Sequence, residues 1–484
     1  MKKIHIILGI MAVLAASASA YAQQNLRSGY FLDGYTYRYK FNPAFQRERG
    51  YIALPAIGRI GVGLESSIAM SDVVYPLENG SLATFLHPSV PADDFLSGLK
   101  DMNRLRVNVD LGILSTGFRT GKSYHTIDVS LRADAGVNLP KDLFAFAKNG
   151  ASTGQTQYDI SNAGARLDSR LEFAYGYSRS IGRNLYAGAR IKFLVGIANA
   201  RIAMQRMSLE MSQDRWALKA NGSMTTSGML AFKTMAEAGT SENASQDNLI
   251  SFEPDMSMFE APDAANKIMN GILSFGGALD LGVSWDFCRY FTLSASVLDL
   301  GFMSWNNTAR AVTPDTAWEF NGFGSNIGEE SAPTLGEQFG TMGEELLQAF
   351  NFERVQAGIK SSEALAMTMH CGLEARMPFY EKMSVGLLGT RRFDGAFSWT
   401  EGRVSLNLAP LKWLSLTGNY AISDFGQSAG AAINLHVPGF TLCLGADSFL
   451  PIMNVAPQFI PIDSWNTNVT FMLCFAFGKY HKMR

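Results

Sequence analysis

Apolar and polar residues alternate along several long segments of the chain. Residues 272–287 place Leu, Phe, Val and Trp mainly at one parity and Ser, Gly, Ala and Asp mainly at the other. Residues 104–113, 124–137, 166–177 and 465–478 repeat this alternation. Because successive side chains of a β-strand point to opposite faces, each segment predicts a strand with one apolar and one small or polar face.

The predicted strands are long, and aromatic residues gather at their ends. They exceed the roughly 5 or 6 residues of a usual globular strand and suit the about 9 to 11 residues of a tilted membrane crossing. The terminal aromatics are Trp285, Phe287, Trp413, Trp465, Phe475 and Phe477. Backbone groups must be paired inside lipid, so crossing strands close into a barrel. The pattern predicts a transmembrane antiparallel β-barrel, and a secreted β-sandwich or β-solenoid is the alternative.

Short and long connections alternate between the predicted strands. Short connections lie near residues 181, 288, 379, 410 and 438, and longer insertions span 71–103, 139–163, 213–270 and 306–363. Bacterial barrels place short turns in the periplasm and long loops outside. The alternation predicts about fourteen strands with both termini in the periplasm. Residues 201–226 form either an extra outer hairpin or an extension of two strands.

Three amphipathic segments in the insertions predict helices on the outer side. They are residues 93–102, 263–272 and 336–350. These helices either cap the barrel mouth or form a lid that grips a ligand. The third segment carries apolar residues that suit an apolar ligand, namely Phe339, Met342, Leu346, Leu347 and Phe350.

The N-terminus predicts export and a separate leading segment. Lys2 and Lys3 precede an apolar run, and Ala20-Tyr21-Ala22 fits a cleavage site, which predicts a signal peptide at 1–22 cut after Ala22. Residues 23–49 combine many Tyr and Phe with charged residues, unlike a disordered leader. We therefore predict an ordered periplasmic or plug segment at 23–49 and a barrel at 50–484.

Composition and motifs exclude several function classes. A net charge of −2 gives no basic surface for nucleic acid. The 4 Cys and 6 His lack zinc or catalytic spacing, so we predict no enzyme, no metal and no cofactor. His125 falls on the lipid-facing parity. Cys443 and Cys474 fall on the inner parity of the last two strands, where they are either disulfide-bonded or two free thiols.

The polar parity of the early strands predicts a charged inner wall. Its residues are Arg104, Arg106, Asp110, Asp128, Arg132, Asp134, Arg166, Asp168, Arg170, Glu172, Arg190 and Lys192. The later strands are expected to contribute Ser, Thr, Asn and Gly instead, such as Ser405 and Asn419. Mixed charge on neighbouring strands predicts cross-strand pairing, and it also suits a charged conduit or a docking wall for a plug.

Two short motifs carry a resemblance to known barrels. Asn42-Pro43-Ala44 precedes the first strand, and "LDLGFMSW" at 298–305 is echoed by "FDGAFSW" at 393–399. The chain resembles an uncharacterised family of Bacteroidota-type outer-membrane barrels and, more broadly, the long-chain fatty acid transporter type. That resemblance implies about fourteen strands with an N-terminal hatch, in which Asn42, Pro43 and Ala44 shape the corner.

Two functions are therefore expected. The first is a channel or facilitated-uptake protein for a small hydrophobic or amphipathic compound in the outer membrane of a Gram-negative bacterium. The alternative is a non-conducting plugged barrel that serves as a structural, protein-interaction or secretion-associated component. The expected partners are outer-membrane lipid, a small apolar ligand and, at the outer loops, another protein.

Overall fold

A computed structural model describes most of the predicted barrel. It covers residues 26–46, 49–54, 58–76, 82–150, 157–211, 215–241, 243–244, 246–255, 266, 273–313, 318–320, 351–448, 455–456, 460–461 and 467–478. The predicted signal peptide, Trp465 and the predicted helices at 263–272 and 336–350 lie outside these ranges, apart from Asn266.

The described elements are mainly β-strands. The strands are β1 (Gly50–Ala53), β2 (Ile60–Ser66), β3 (Val74–Pro76), β4 (Leu82–Thr84), β5 (Met102–Thr120), β6 (Ser123–Pro140), β7 (Gln157–Asp159), β8 (Gly164–Ile181), β9 (Leu185–Met211), β10 (Trp216–Gly228), β11 (Phe232–Thr234), β12 (Ile250–Pro254), β13 (Ser274–Asp286), β14 (Phe291–Val312), β15 (Trp318–Phe320), β16 (Glu353–Ala364), β17 (Met367–Met377), β18 (Tyr380–Phe393), β19 (Trp399–Leu411), β20 (Leu414–Ser423), β21 (Gly426–Val437), β22 (Phe440–Ser448), β23 (Val455–Ala456), β24 (Ile460–Pro461) and β25 (Thr467–Phe477). The helices are α1 (Met70–Val73), α2 (Ala92–Gly98) and α3 (Lys141–Asn149), with single 3-10 turns at Arg27–Gly29, Arg38–Lys40 and Gly395–Phe397.

One antiparallel sheet of 19 strands closes on itself. The wall has 14 strand positions, because five positions are each shared by two strands: β1 with β2, β7 with β8, β10 with β13, β14 with β15 and β16 with β17. The last strand, β25, pairs with β22 on one side and with β1 and β2 on the other. This closure confirms the predicted 14-stranded barrel.

The predicted short connections and the long insertions lie at opposite ends of the barrel. All the predicted short connections join neighbouring strands at one end, which we call the short-turn end. The opposite, long-loop end carries α2 and α3. Residues 201–226 extend the wall there, because β10 pairs with the end of β9 and also with β14. The predicted helix at 93–102 is α2 and is shorter than expected, since β5 starts at Met102.

The outward face of the wall is apolar and the inward face is polar. In β13, Leu281, Val283 and Trp285 are exposed, whereas Asp280 and Ser284 are buried. The aromatic rings of Trp285 and Phe287 lie 5.7 Å apart beside a short turn, as expected of an interfacial girdle. Such a band is stable only in contact with lipid, so the strands span a membrane. Among the described helices, none is long and apolar enough to cross a membrane.

Two irregularities change which side chains enter the lumen. In β14 the register shifts opposite Leu279 and Leu281, and Asp299 adopts a positive φ of 59°. In β5 the register shifts between Gly112 and Leu114, beside the interruption between β1 and β2. A bulge adds one residue to a strand and so reverses the parity beyond it.

Candidate functional site in the barrel lumen

Residues 26–45, called the hatch below, fill the lumen toward its short-turn end. The hatch consists of turns and two short 3-10 segments. Its side chains form a buried cluster with the wall, comprising Leu26, Tyr30, Phe31, Leu32, Tyr35, Tyr37, Tyr39, Phe41, Tyr51, Ala53, Leu388, Ala432, Cys443, Met472 and Cys474. The hatch is therefore a compact apolar body inside a polar wall.

Asn42 fixes the hatch to the wall by hydrogen bonds. Its side-chain amide donates to the carbonyl oxygens of Val283 at 2.9 Å and Ala295 at 3.2 Å. Its side-chain oxygen accepts from the backbone N–H of Ala44 at 3.0 Å. Asn42 is fully buried. One side chain thus shapes the turn and docks it on β13 and β14.

Small wall residues form a notch for the same corner. Gly188 of β9 and Gly282 of β13 are direct cross-strand partners, and Gly282 also faces Ser296 of β14. A Cβ atom on Gly188 would overlap the backbone of Pro43. Ser296 Oγ donates to the carbonyl oxygen of Phe41 at 2.6 Å. The notch accepts the hatch backbone because these three wall positions carry little or no side chain.

The first residues of the hatch are anchored by carboxylates. Asp447 accepts from the backbone N–H groups of Arg27 and Ser28, each at 2.7 Å. The Arg27 guanidinium is 2.8 Å from Glu401 and also pairs with Glu65. These contacts connect the hatch to β2, β19 and β22 at the side opposite the notch.

Lys40 is the other buried cation of the hatch. Its Nζ atom lies 3.9 Å from Asp128, which also accepts from Tyr39 at 2.7 Å and Ser115 at 2.6 Å. Burial lowers the pKa of Lys40 to about 7, and the Arg59 charge acts in the same direction while Asp128 opposes it. Lys40 therefore loses its proton at a lower pH than a solvated lysine.

Predicted inner-wall charges meet in the middle of the lumen. Arg190 lies 3.0 Å from Asp128 and 3.4 Å from Asp280. Lys192 lies 2.7 Å from Asp280 and 2.6 Å from Asp299. Each side chain is almost completely buried, so each charge needs these partners.

Other predicted charges extend the network toward the long-loop end. Arg132 is 3.2 Å from Glu172, and Arg106 Nη2 is 2.5 Å from Asp134. Arg166 pairs with both Asp134 and Asp394, and Asp110 pairs with Arg59. Asp168 and Arg170 pair along their own strand, and Arg104 donates to Ser398 at the outer rim.

The expectation of uncharged later strands was wrong. Ser405 and Asn419 are buried as expected, but so are the charged residues Asp280, Asp299, Asp394, Glu401, Arg403 and Asp447. Asp280 sits on the polar parity and was visible in the sequence. Asp299 enters the lumen through the β14 bulge, which alternation alone does not reveal.

A cavity of about 90 Å³ lies beside the inner surface of the hatch. Arg27 and Phe41 of the hatch line it, together with the arginines Arg106, Arg132, Arg170 and Arg392 and the aspartates Asp110, Asp134, Asp168 and Asp299. A smaller cavity of about 20 Å³ shares Asp168, Arg170 and Arg392 with it. The interior therefore offers charged cavities.

A sequence model of a family of unknown function, DUF5723, matches residues 43–447. The chain belongs to this family. The match begins at Pro43, at the hatch corner, and runs through Asp447 of β22. No curated protein matches the chain by sequence.

Several solved barrels are similar to this DUF5723 protein in outline. The toluene transporter TodX of P. putida shares 7% identity, covers 91% of this chain and 93% of its own, and has a TM-score of 0.37. The toluene transporter TbuX of Ralstonia pickettii shares 7% identity, covers 91% of this chain and 93% of its own, and has a TM-score of 0.38. A Pseudomonas aeruginosa FadL homologue shares 10% identity, covers 90% of this chain and 90% of its own, and has a TM-score of 0.36. Similarities of this size carry no conclusion about cargo.

Cys443, Cys474 and His125 of the DUF5723 barrel contact other residues of the wall. Cys443 and Cys474 are buried and are not disulfide-bonded, so the disulfide alternative was wrong. Cys443 faces Met472 in the β22–β25 register, which offsets it from Cys474. His125 lies on the outward face, where its Nδ1 is 2.8 Å from Tyr175 Oη. Within the described ranges, no three His, Cys, Asp or Glu residues are grouped to hold a metal.

Proposed function

We propose that this DUF5723 protein is an outer-membrane uptake barrel for a small hydrophobic or amphipathic compound, and that its hatch gates the lumen. The observation that carries the proposal is the way the hatch is attached. Residues 26–45 fill the lumen but join none of the described sheet pairings. Displacing them breaks side-chain contacts and leaves every ladder hydrogen bond of the wall intact.

The chemistry of these attachments also supports a movable hatch. The contacts of Arg27 with Glu401 and Glu65 are ion pairs, and the contacts of Asn42 are hydrogen bonds. Water that enters the lumen can replace such contacts, since the net value of an exchanged hydrogen bond is only about 0.5 to 1.5 kcal/mol. The notch glycines add close packing without interlocking side chains.

The orientation of the barrel supports the outer-membrane location. An apolar outer band and short turns at the end where β1 begins are typical of Gram-negative outer-membrane barrels. The predicted signal peptide, cut after Ala22, supplies export. Under this proposal, the segment 23–49 approaches the lumen from the periplasm and Asn42, Pro43 and Ala44 hold its corner.

The charged lining of the central cavity bears on the cargo. Nine Arg and Asp side chains surround about 90 Å³, so a purely apolar compound would displace water from charged groups there without replacing its hydrogen bonds. This favours an amphipathic compound whose polar group enters the cavity over a wholly apolar one. The predicted apolar loop residues Phe339, Met342, Leu346, Leu347 and Phe350 lie outside the described residues.

Uptake into liposomes tests the proposal. Purified protein is reconstituted, and entry of a panel of small neutral, amphipathic and anionic solutes is measured alongside single-channel conductance. The variant Gly188→Val, which displaces the hatch at Pro43, is compared with Gly418→Val, where a Cβ meets no atom within 4 Å. Solute uptake by the wild type that increases in Gly188→Val supports the proposal that the hatch gates the lumen. Absence of solute entry in both the wild type and Gly188→Val rejects the uptake proposal.

A plugged structural barrel is the second candidate, because the hatch is anchored at two opposite places. Asp447 and Glu401 hold its start, and the notch holds its end. A barrel that never conducts and that co-purifies with one defined protein partner would support this function instead.

A further inference from the structure

The smaller cavity lies in a cluster of four arginines toward the long-loop end. Arg166 and Arg170 of β8, Arg201 of β9 and Arg392 of β18 all line it. In each of the four, the Nε atom is buried and has no hydrogen-bond acceptor among the described residues. Buried polar groups are normally satisfied, so several unsatisfied donors at one place indicate a missing acceptor.

The carboxylates near the cluster are shared among its arginines. Asp394 serves three of the arginines, since it pairs with Arg166 and lies 3.5 Å from Arg201 and 3.7 Å from Arg392. Asp168 is engaged with Arg170. Arg166 has Asp134 as a second partner, but Arg392 has no closer carboxylate than that of Asp394 within the described part of the chain.

The third carboxylate at this place is occupied by neutral donors. Glu363 Oε1 accepts from Trp305 Nε1 at 2.7 Å and from Asn199 Nδ2 at 3.0 Å. Four guanidinium groups therefore share Asp134, Asp168 and Asp394, and Asp134 also pairs with Arg106. Side-chain exposure is about a tenth for Arg170 and Arg392, at 10% and 12%, so water screens their charge only in part.

We propose that this arginine cluster binds a small oxyanion, in which Arg170 and Arg392 are the principal ligands. Guanidinium groups match the paired oxygens of phosphate, sulfate and carboxylate through two parallel N–H donors. Arg170 and Arg392 also border the larger cavity, which gives the rest of the ligand somewhere to lie. A cavity of about 90 Å³ holds a few water molecules or a small ion and is too small for a long chain.

This inference deepens the proposed function, because it gives the polar group of the cargo a negative charge and a position. Binding is nevertheless measured without transport, so the two proposals fail separately. Loss of uptake with retained anion binding rejects the transport proposal alone. Uptake without saturable anion binding rejects this site alone.

Titration calorimetry on the full-length protein in a neutral detergent tests the site. Sodium phosphate, sulfate and acetate are titrated at constant ionic strength against a chloride reference. We expect saturable binding of at least one oxyanion. Tighter binding of acetate would indicate that the site prefers a carboxylate, and tighter binding of phosphate or sulfate would indicate that it prefers a tetrahedral oxyanion. Binding of none of them to the wild type above the chloride reference overturns the proposal.

The variants separate this site from general charge attraction. In Arg170→Gln/Arg392→Gln the affinity for the bound anion is expected to fall at least tenfold. The matched control is Arg391→Gln, next along β18, whose side chain is exposed on the other face. Equal affinity in the double variant and the wild type overturns the proposal. Heat-modifiable migration verifies folding, and Arg392→Lys, which keeps the charge but loses the paired donors, replaces a variant that does not fold.

Discussion

Replacing Asn42 by Ala removes the most directional contact between hatch and wall. The change deletes two donated bonds to Val283 and Ala295 and leaves the Ala44 N–H buried without its acceptor. Each lost bond is worth about 0.5 to 1.5 kcal/mol, and an orphaned donor costs about 1 to 3 kcal/mol. Hatch docking is therefore expected to weaken by about 2 to 6 kcal/mol. Since 1.4 kcal/mol is tenfold, the hatch should open between about 30 and about 20,000 times more often.

Hydrogen exchange followed by mass spectrometry measures this opening. Peptides covering residues 26–45 should exchange faster in Asn42→Ala by that factor, while peptides from the wall strands keep their rates. The control is Asn407→Ala, a buried lumen amide whose Nδ2 donates to Ser405 at 3.2 Å and Ser384 at 3.4 Å of the wall. Unchanged hatch exchange in Asn42→Ala, or an equal rise in Asn407→Ala, would refute the docking argument.

Three further expectations follow from the same contacts. Gly188→Val should expose the hatch to protease while Gly418→Val should not, because only the first places a Cβ against Pro43; equal cleavage contradicts the notch. In the wild type the pKa of Lys40 is lowered to about 7, so between about pH 7 and about pH 10 the unfolded chain binds more protons than the native protein, and the free energy of unfolding rises with pH. Lys40→Met should flatten this rise. Urea titrations that give the same slope of unfolding free energy against pH in both proteins would contradict the expectation. Thiol labelling in micelles should modify exposed Cys288 at once and Cys443 and Cys474 only after unfolding, whereas two thiols missing after unfolding would indicate a disulfide.

Alternation was enough to predict the wall, because a membrane barrel imposes one rule on every strand. Each crossing must put apolar residues in lipid and small or polar residues inside, so strands such as β13 and β25 can be predicted from their own sequence alone. The strand count also followed, since the short turns near residues 288, 379 and 438 are direct sequence neighbours of the strands they join.

The candidate site was only partly predictable, because partners in the lumen come from distant parts of the chain. The charges of Arg190 and Lys192 were assigned to the lumen from parity, but their partner Asp299 depends on a bulge that one residue of positive φ creates. The notch was hidden for a different reason. Gly188 and Gly282 are ordinary glycines in sequence, and only the register of β9 with β13 places them side by side.

The closure of the sheet has a consequence for how the protein is made. The first strand position pairs with β25, so the seam of the barrel joins the first and the last strand of the wall. The hatch precedes that seam in sequence, yet its contacts reach β9, β13, β14 and β22. Such distant contacts cannot all form until most of the wall exists, and they are slow to form for that reason. Strand β25, which is synthesised after the rest of the wall, thus completes the enclosure of residues 26–45, and a chain that stops before residue 467 has no strand with which to seal it.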